Sequence, residues 1–161
     1  MATPSWIRKM LQLRGIRFEE RHHAEAFTAQ EVAQREHFSG HRVAKVVVVI
    51  ADGRPMELIL PASRRVNMAR LQELLGVREL RLASEAEMEQ MFTDCEVGAV
   101  PAVRHASGVE VLMDESLRVE GDILFQAGTH EDAVQLNFQD WFAMVNPRVA
   151  SFTLPAEAAQ A

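Results

Sequence analysis

A nearly continuous apolar run organises the chain; it reads Val43-Ala44-Lys45-Val46-Val47-Val48-Val49-Ile50-Ala51 and is followed by Asp52-Gly53. Its density of β-branched residues favours a buried strand over residues 43–51. Asp-Gly after such a run is a strong hairpin signal, and the apolar residues of 56–60 predict the returning strand. The sequence therefore predicts a central β-hairpin.

Lys45 is the one charged residue inside this run, and it is one of only two lysines in a chain with 15 arginines. Because strand side chains alternate, Lys45 shares a face with Val47 and Val49, and Val46 lies on the other face. An ammonium is costly to desolvate unless it finds a partner. Two interpretations stay open here. Lys45 either extends its aliphatic chain along the apolar surface so that its ammonium reaches water, or places its ammonium where it binds a substrate.

Capping and turn signals divide the rest of the chain into short elements. Helices are predicted at 5–14, 29–36, 67–75, 84–92 and from Asn137 to just before Pro147, and strands at 17–21, 79–82, 109–113, 122–126 and 133–136. Helices and strands do not alternate regularly. The predicted fold is therefore a single α/β (α+β) domain, with a mixed, mostly antiparallel, curved sheet flanked by helices.

The length of 161 residues predicts one domain over 1–161, with a core at about 5–153 and a frayed Ala-rich tail at about 155–161. No segment resembles a membrane span or a secretory signal, so we expect a cytoplasmic protein without a membrane partner. A single cysteine, Cys95, excludes an internal disulfide framework and a multi-cysteine zinc site.

The formal charge of −6 argues against a protein that coats DNA or RNA nonspecifically, because such binding requires a broad basic surface. A local phosphate contact is compatible with this charge. The densest basic stretch comprises Arg64, Arg65, Arg70, Arg78 and Arg81. These arginines either touch phosphates at the edge of a site or are scattered surface charges.

The common catalytic signatures are absent from the sequence: there is no Walker loop, dinucleotide glycine fingerprint, HExxH or GxSxG motif. His22 and His23 are adjacent on a predicted strand and so point to opposite faces, which disfavours a shared metal. Asp94 and Glu96 beside Cys95 raise the pKa of the thiol and disfavour a nucleophile. We predict neither a metal nor a cofactor.

Two loops carry better candidates. In residues 93–102, Gly98 and Pro101 lie three apart, and such a loop can aim main-chain N–H groups at a carbonyl or an oxyanion, although an ordinary turn has the same spacing. His130 closes Ala127-Gly128-Thr129-His130, a predicted hairpin connection. It is either a donor or base, or an exposed turn histidine.

Five segments together resemble the YbaK / prolyl-tRNA synthetase-associated domain family over about residues 5–153. They are Ala44-Lys45-Val46-Val47-Val48 after a Thr28-Ala29-Gln30-Glu31 helix, Leu60-Pro61-Ala62-Ser63, Asp94-Cys95-Glu96-Val97-Gly98-Ala99-Val100-Pro101, Asp114-Glu115-Ser116-Leu117 and Ala127-Gly128-Thr129-His130. The resemblance implies an α/β domain around a mixed, barrel-like sheet. It also implies an aminoacyl-tRNA deacylase, free-standing or inserted in prolyl-tRNA synthetase, that removes mischarged amino acids from tRNA.

The resemblance further implies roles for particular residues. Lys45 is then the central lysine near the aminoacyl ester and the terminal adenosine, and His130 matches a histidine found at the site of some members. The main chain of Gly98 and Ala99 positions the ester carbonyl. The implied substrate-binding residues are Val100, Pro101, Ser63, Arg64 and Arg65.

The sequence departs from the family pattern at two places. Relatives often continue the glycine-proline loop as Pro-Pro-Phe-Gly, whereas Ala102-Val103-Arg104 follows Pro101 here. Val46 stands where alanine-specific members have asparagine, so alanine specificity is not carried over.

The sequence thus predicts a metal-independent, trans-editing aminoacyl-tRNA deacylase, with His130, a ribose hydroxyl or the substrate itself orienting the water. The predicted partners are the 3′ end of an aminoacyl-tRNA and prolyl-tRNA synthetase or other translation components. Two alternatives stay open: a non-catalytic module that binds tRNA ends or a protein, and a hydrolase of a small aminoacyl or nucleotide ester.

Overall fold

A computed structural model describes residues 4–105 and 109–155 of the chain. The helices in these ranges are α1 (Ser5–Leu13), α2 (Ala29–Arg35), α3 (Met68–Leu75), α4 (Glu85–Met91) and α5 (Phe138–Val145), with 3-10 helices at Gly40–Arg42 and Glu115–Leu117. The strands are β1 (Phe18–His22), β2 (Val43–Ala51), β3 (Arg54–Pro61), β4 (Arg64–Val66), β5 (Leu80–Leu82), β6 (Glu110–Asp114), β7 (Asp122–Gln126), β8 (Asp132–Asn137), β9 (Arg148–Ala150) and β10 (Thr153–Pro155).

The predicted central hairpin is confirmed. β2 and β3 pair antiparallel without a break, from Ala51 opposite Arg54 to Ala44 opposite Pro61. Asp52 and Gly53 both have positive φ, +47° and +80°, as the tight two-residue turns of β-hairpins require. The turn therefore sets the register that places Lys45 in the middle of the sheet.

The main sheet has eight strands in the order β1-β8-β7-β2-β3-β6-β9, and β5 also pairs with β2. The β7–β2, β3–β6 and β6–β9 pairs are parallel, and the other four pairs are antiparallel. A mixed, mostly antiparallel sheet flanked by helices was predicted and is confirmed.

The free edge of β2 is divided between two partners. Val43 and Ala44 pair with β7, whereas residues 49–51 pair with β5, and β3 occupies the other edge throughout. Among the described strands, none pairs with this edge of β2 between Ala44 and Val49. The sheet is therefore open beside Lys45.

The two faces of β2 pack against different parts of the core, as side-chain alternation predicts. Val47 and Val49 pack with Leu71 of α3 and with Phe152, whereas Val48 packs with Phe92 and other residues of the opposite face. A larger cluster beneath α1 and α5 contains fully buried Ile7, Leu11, Phe138 and Trp141. Helices thus cover the sheet around the open edge of β2.

Three short strands were not predicted. β4 and β10 form a separate antiparallel pair, and β9 extends the main sheet beside β6. Pro155, where the predicted tail begins, pairs with Arg64. The rest of the predicted tail, residues 156–161, lies outside the described residues. No helix in the described ranges is long and apolar enough to cross a membrane.

Candidate functional site

A cavity of about 340 Å³ lies at the open edge of β2. Its lining residues come from the start of α2, from β2, from the loop before β6 and from the end of β7: Thr28, Ala29, Gln30, Ala44, Lys45, Val46, Gly98, Val100 and Gln126. A wider cleft of about 900 Å³ between residues 15–19 and β8 contains none of the predicted site residues. The smaller cavity is therefore the candidate site.

Lys45 is the charged residue among those that line this cavity. Its side chain is partly buried, and desolvation lowers the pKa of the ammonium from its usual value of 10.5. No carboxylate in residues 4–105 and 109–155 forms an ion pair with it. Its charge is thus available to a ligand.

Gly98, which also lines the cavity, occupies a tight turn. The Ala99 N–H donates to the Glu96 carbonyl over 3.0 Å, and Gly98 has φ +88°, which a type II turn requires of its third residue. A Cβ added at Gly98 would also lie 3.4 Å from Cε1 of His130. Glycine is therefore favoured by both backbone conformation and space.

This turn is held by the loop that joins β7 and β8. The Glu96 N–H donates to the Gly128 carbonyl over 2.8 Å, and the Gly128 N–H donates to the Ala99 carbonyl over 2.9 Å. Gly128 in turn lies against α1, since an added Cβ would come within 2.7 Å of Cδ of Pro4. The two loops form one fixed main-chain unit, which we call the paired loops (residues 93–101 and 127–131).

The paired loops use one of the predicted donors within their own turn. The N–H of Ala99, which was predicted to position the ester carbonyl, donates to the Glu96 carbonyl. The N–H groups of Gly98 and Val100 have no acceptor among the described residues, and both residues line the cavity. These two N–H groups are therefore the better candidates for a contact with a ligand.

His130 lies behind the Gly98 turn and is not among the residues that line the cavity. It is 9 % exposed, its Nε2 lies 3.6 Å from a Glu96 carboxylate oxygen, and its Nδ1 is buried without a partner among the described residues. Its ring packs on Phe27, with centroids 4.9 Å apart. The position suits a residue that supports the turn better than one that takes a proton from water in the cavity.

The remaining predicted substrate residues lie away from the cavity wall. Ser63 Oγ is 2.6 Å from Nδ1 of His41, and Arg64 donates to the hydroxyl and the carbonyl of Thr153 over 2.6 and 3.2 Å. Arg65 is exposed on β4, and buried Pro101 also lies outside the lining. Of the nine predicted site residues, the structure brings Lys45, Gly98 and Val100 to the same cavity.

Sequence reasoning missed Gln126, the last residue of β7. It is 6 % exposed and lines the cavity, and its Nε2 donates to the Ala26 carbonyl over 3.2 Å. A signal was present, because a polar residue ends the otherwise apolar run Ile123-Leu124-Phe125.

Cys95 is a buried, protonated thiol, as the sequence predicted. Burial, together with a hydrogen bond to Asp94, raises the pKa of the thiol to about 12. In the described residues, no group of three His, Cys, Asp or Glu side chains could hold a metal ion.

The segment that departs from the family pattern packs into the core beneath α5. Ala102 and Val103 are fully buried, and the Ala102 carbonyl accepts a hydrogen bond from Nε1 of Trp141 over 2.6 Å. Arg104 donates to the Val145 carbonyl at the end of α5. These residues therefore anchor the loop and are not part of the cavity lining.

The fold and the cavity define a mixed α/β domain with a small cavity that is lined by one lysine, Lys45, and by the turn at Gly98. A family model described as the aminoacyl-tRNA editing domain matches residues 23–143, and the chain belongs to this family.

Several relatives are proline–tRNA ligases. That of Leuconostoc citreum is 24% identical over 133 residues, which cover 81% of this chain and 23% of the relative. That of Gloeobacter violaceus is 31% identical over 116 residues, which cover 68% and 19% of the two chains. This chain thus spans about a fifth of the length of the curated relatives it matches.

Solved structures with the same fold cover nearly the whole chain. A candidate trans-editing enzyme for prolyl-tRNA synthetase has a TM-score of 0.79 at 21% identity, covering 92% of this chain and 94% of its own. The hypothetical protein APE2540 has a TM-score of 0.82 at 19% identity, covering 92% and 99%. The α/β fold inferred from the sequence is thereby confirmed.

Proposed function

We propose that this protein is a metal-independent, trans-editing deacylase that hydrolyses the ester of a mischarged aminoacyl-tRNA. The observation that carries the proposal is the shared cavity, which is lined by partly buried Lys45 and by Gly98 and Val100, two residues whose N–H groups have no acceptor among the described residues. An ester carbonyl needs such donors, and a nucleotide offers negative charge to the amine.

Attack of water on the ester carbon would place negative charge on the carbonyl oxygen. The N–H groups of Gly98 and Val100 would stabilise that charge, and each such donor contributes roughly 3 kcal/mol in comparable sites. The paired loops support this role because their hydrogen bonds fix the donors before substrate arrives. Little reorganisation is then required during the reaction.

Lys45 would hold the substrate and raise the positive potential of the cavity. Its ammonium would contact the ribose or phosphate of the terminal adenosine, where partial exclusion of water strengthens the attraction. Burial by the protein lowers the pKa of Lys45. A bound phosphate would offset that effect and favour the charged amine.

The substrate itself is the better candidate for orienting the water. The described residues that line the cavity include no carboxylate and no imidazole, and His130 lies behind the Gly98 turn. A hydroxyl of the terminal ribose or the α-amino group lies close to the ester and could take this role.

The proposed partner is the 3′ end of an aminoacyl-tRNA in the cytoplasm, with prolyl-tRNA synthetase or other translation components nearby. The proline–tRNA ligase relatives and the trans-editing neighbour favour that setting. The net charge of −6 favours recognition of the aminoacylated end over broad contact with the tRNA body.

The test is deacylation of tRNAs charged with Ala, Ser, Cys and Pro. Lys45→Ala should lower the rate by roughly a hundredfold on the preferred substrate, as for loss of one electrostatic contact in comparable sites. The matched control is Lys9→Ala, which removes the other lysine, an exposed residue on α1. Equal rates for Lys45→Ala and the parent protein would refute the assignment.

Two further outcomes separate the alternatives. Binding of aminoacyl-tRNA without turnover for any of the four amino acids would identify a non-catalytic module. Faster turnover of a minimal aminoacyl-adenosine than of the matching aminoacyl-tRNA would identify a hydrolase of small esters.

A further inference from the structure

We infer that Gln126 recognises the α-amino group of the aminoacyl ester, and so selects ligands that carry a free amine beside the scissile carbonyl. This inference rests on the proposed function, since it names a contact that the same cavity would make with the substrate. Gln126 would act as a substrate-binding residue and not as an acid or base.

The position of Gln126 follows from the sheet register. β7 pairs in parallel with β2 through Leu124 opposite Val43 and Phe125 opposite Ala44, and the pairing then stops. The next residues in this register are Gln126 and Lys45, which stand on either side of the opening and both line the cavity. The two polar side chains thus flank the space left where the strands separate.

The orientation of the Gln126 amide is fixed by its surroundings. Nε2 donates to the carbonyl of Ala26, a fully buried residue whose own N–H is bonded to the His130 carbonyl. Reversing the amide would place two oxygens against each other, so the nitrogen must face Ala26. Oε1 is the amide atom left for a ligand, and no donor among the described residues bonds to it.

The free acceptor of Gln126 is accessible from the cavity. The residue as a whole is 6 % exposed and lines the cavity, but its Oε1 is not among the enclosed side-chain atoms that lack a partner, so a donor in the cavity can reach it. Thr28 Oγ1 is already bonded to the N–H and the carboxylate of Glu31, and Gln30 is exposed. In the described lining, Gln126 is therefore the well-held side-chain acceptor that is left for a ligand.

The aminoacyl ester supplies such a donor close to the reacting carbon. Its α-amino group is separated from the carbonyl by a single carbon and donates hydrogen bonds whether or not it is protonated. No carboxylate lines the described part of the cavity, so the amine would not meet an opposite full charge there. A neutral amide oxygen can accept from the amine while Lys45 keeps its own charge for the nucleotide.

The experiment compares ligands that cannot be hydrolysed. The probes are 3′-alanylamino-3′-deoxyadenosine and its prolyl counterpart, each paired with a version that lacks the amine, the propionyl and the cyclopentanecarbonyl amides. Calorimetry gives a dissociation constant for each ligand, and the ratio of the two constants within a pair is the preference for the amine. We expect the parent protein to prefer at least one amine-bearing ligand by about ten- to a hundredfold, as for a hydrogen bond to a charged group.

Gln126→Leu should bring that preference close to one, and Gln126→Glu should keep or increase it. Because the preference is a ratio within one variant, general damage from loss of the Ala26 contact cancels. The matched control is Gln72→Leu, since Gln72 also donates its amide to main-chain carbonyls but lies on α3, outside the cavity lining. It should retain the parental preference.

Three results would overturn the inference: a parental preference near one, a preference that survives Gln126→Leu, or no binding of any probe. A 2′-deoxy analogue tests the ribose hydroxyl as the competing donor. If the parent protein prefers the ligand with the 2′-hydroxyl, and Gln126→Leu removes that preference but not the preference for the amine, the contact belongs to the ribose hydroxyl. Amine preference without deacylation of any tRNA would reject the proposed function and leave the contact with Gln126 intact.

Discussion

Lys45 is stabilised poorly by the protein in the absence of a ligand. Its ammonium is partly buried, and desolvation lowers its pKa without a carboxylate of the described residues to offset it. Such groups are retained where function requires them, at some expense of stability. The same argument explains why a lysine can interrupt the apolar run of β2.

Replacing Lys45 by methionine should therefore stabilise the protein while removing activity. We expect the free energy of unfolding at pH 7 to rise by about 0.5–2 kcal/mol, since an apolar side chain of similar length has no charge to desolvate. Urea unfolding checks the rise in stability, and a deacylation assay on the same preparation checks the loss of activity.

The pH dependence of this gain follows from the lowered pKa. Between the folded pKa of Lys45 and its ordinary value of 10.5, the unfolded chain binds the proton more readily, so the stability of the parent protein increases with pH. The difference between parent and Lys45→Met should then shrink as pH rises through that window. A stability gap that is constant up to pH 10.5 would mean that the ammonium is not desolvated.

Gly98 allows a second prediction at the level of one residue. Gly98→Ala introduces a side chain at φ +88° and within 3.4 Å of His130, whereas Gly15→Ala does so at φ +66° with nothing within 4 Å. Both should lose about 1–3 kcal/mol of stability from backbone strain. Only Gly98→Ala should also lower the deacylation rate, by roughly tenfold or more, because it moves a main-chain donor.

Thermal melts and single-turnover rates on the preferred charged tRNA provide the measurements. If Gly15→Ala reduced the rate as much as Gly98→Ala did, the loss would reflect stability and not the position of the turn.

At the level of elements, the signals that proved sufficient were local. Capping signals placed the predicted helix starts, and Thr28, Asn67, Ser84 and Asn137 each accept a main-chain hydrogen bond from within the first turn of their helix. Gly76 likewise ends α3 with φ +66°. A cap and a hairpin turn depend on neighbours in sequence, which is why they could be read in advance.

The features that escaped prediction depend on distant partners. β4 and β9 have three residues each and exist through pairing with β10 and β6. The motif alone does not show that the N–H of Ala99 donates to the Glu96 carbonyl. Gln126 lies at the cavity because the pairing of β7 with β2 stops just before it, which depends on the sheet register. Lys45 and Gly98 could be named from motifs, but their neighbours at the cavity could not.

The paired loops lead to a prediction about how α1 supports the site. Gly128→Ala would force a Cβ to within 2.7 Å of Cδ of Pro4, at the start of α1, so α1 or the loop must shift. We expect a loss of about 2–4 kcal/mol of stability, as for a steric clash in a packed region. Pro4→Ala removes the obstructing ring.

A double-mutant cycle in urea measures this coupling. The two substitutions together should cost at least about 1 kcal/mol less than the sum of the single changes. Additive losses would show that Gly128 is required for its backbone conformation alone, at φ +96°, and that α1 does not hold the loop.

For the whole molecule, the distribution of charge restricts how a tRNA can bind. The chain carries −6 overall, and several arginines are already engaged: Arg64 with Thr153, Arg81 with Glu87 and Arg104 with the end of α5. Arginines held in this way contribute less to phosphate binding. If the proposed substrate is correct, we expect the cavity with Lys45 to be the main point of electrostatic attachment, and we expect the tRNA body to add few contacts.

The salt dependence of binding measures how many phosphates are neutralised. The logarithm of the association constant falls with the logarithm of salt concentration in proportion to that number, with a coefficient near 0.7 per phosphate for single strands. We expect a slope of only about −1 to −2 for aminoacyl-tRNA. Lys45→Ala should flatten this slope by roughly 0.7, because it removes one phosphate contact. A slope steeper than about −5 for the tRNA, unchanged in Lys45→Ala, would instead indicate an extended basic surface. Arg65 and Arg70, which are exposed on β4 and α3, would then be the first residues to substitute.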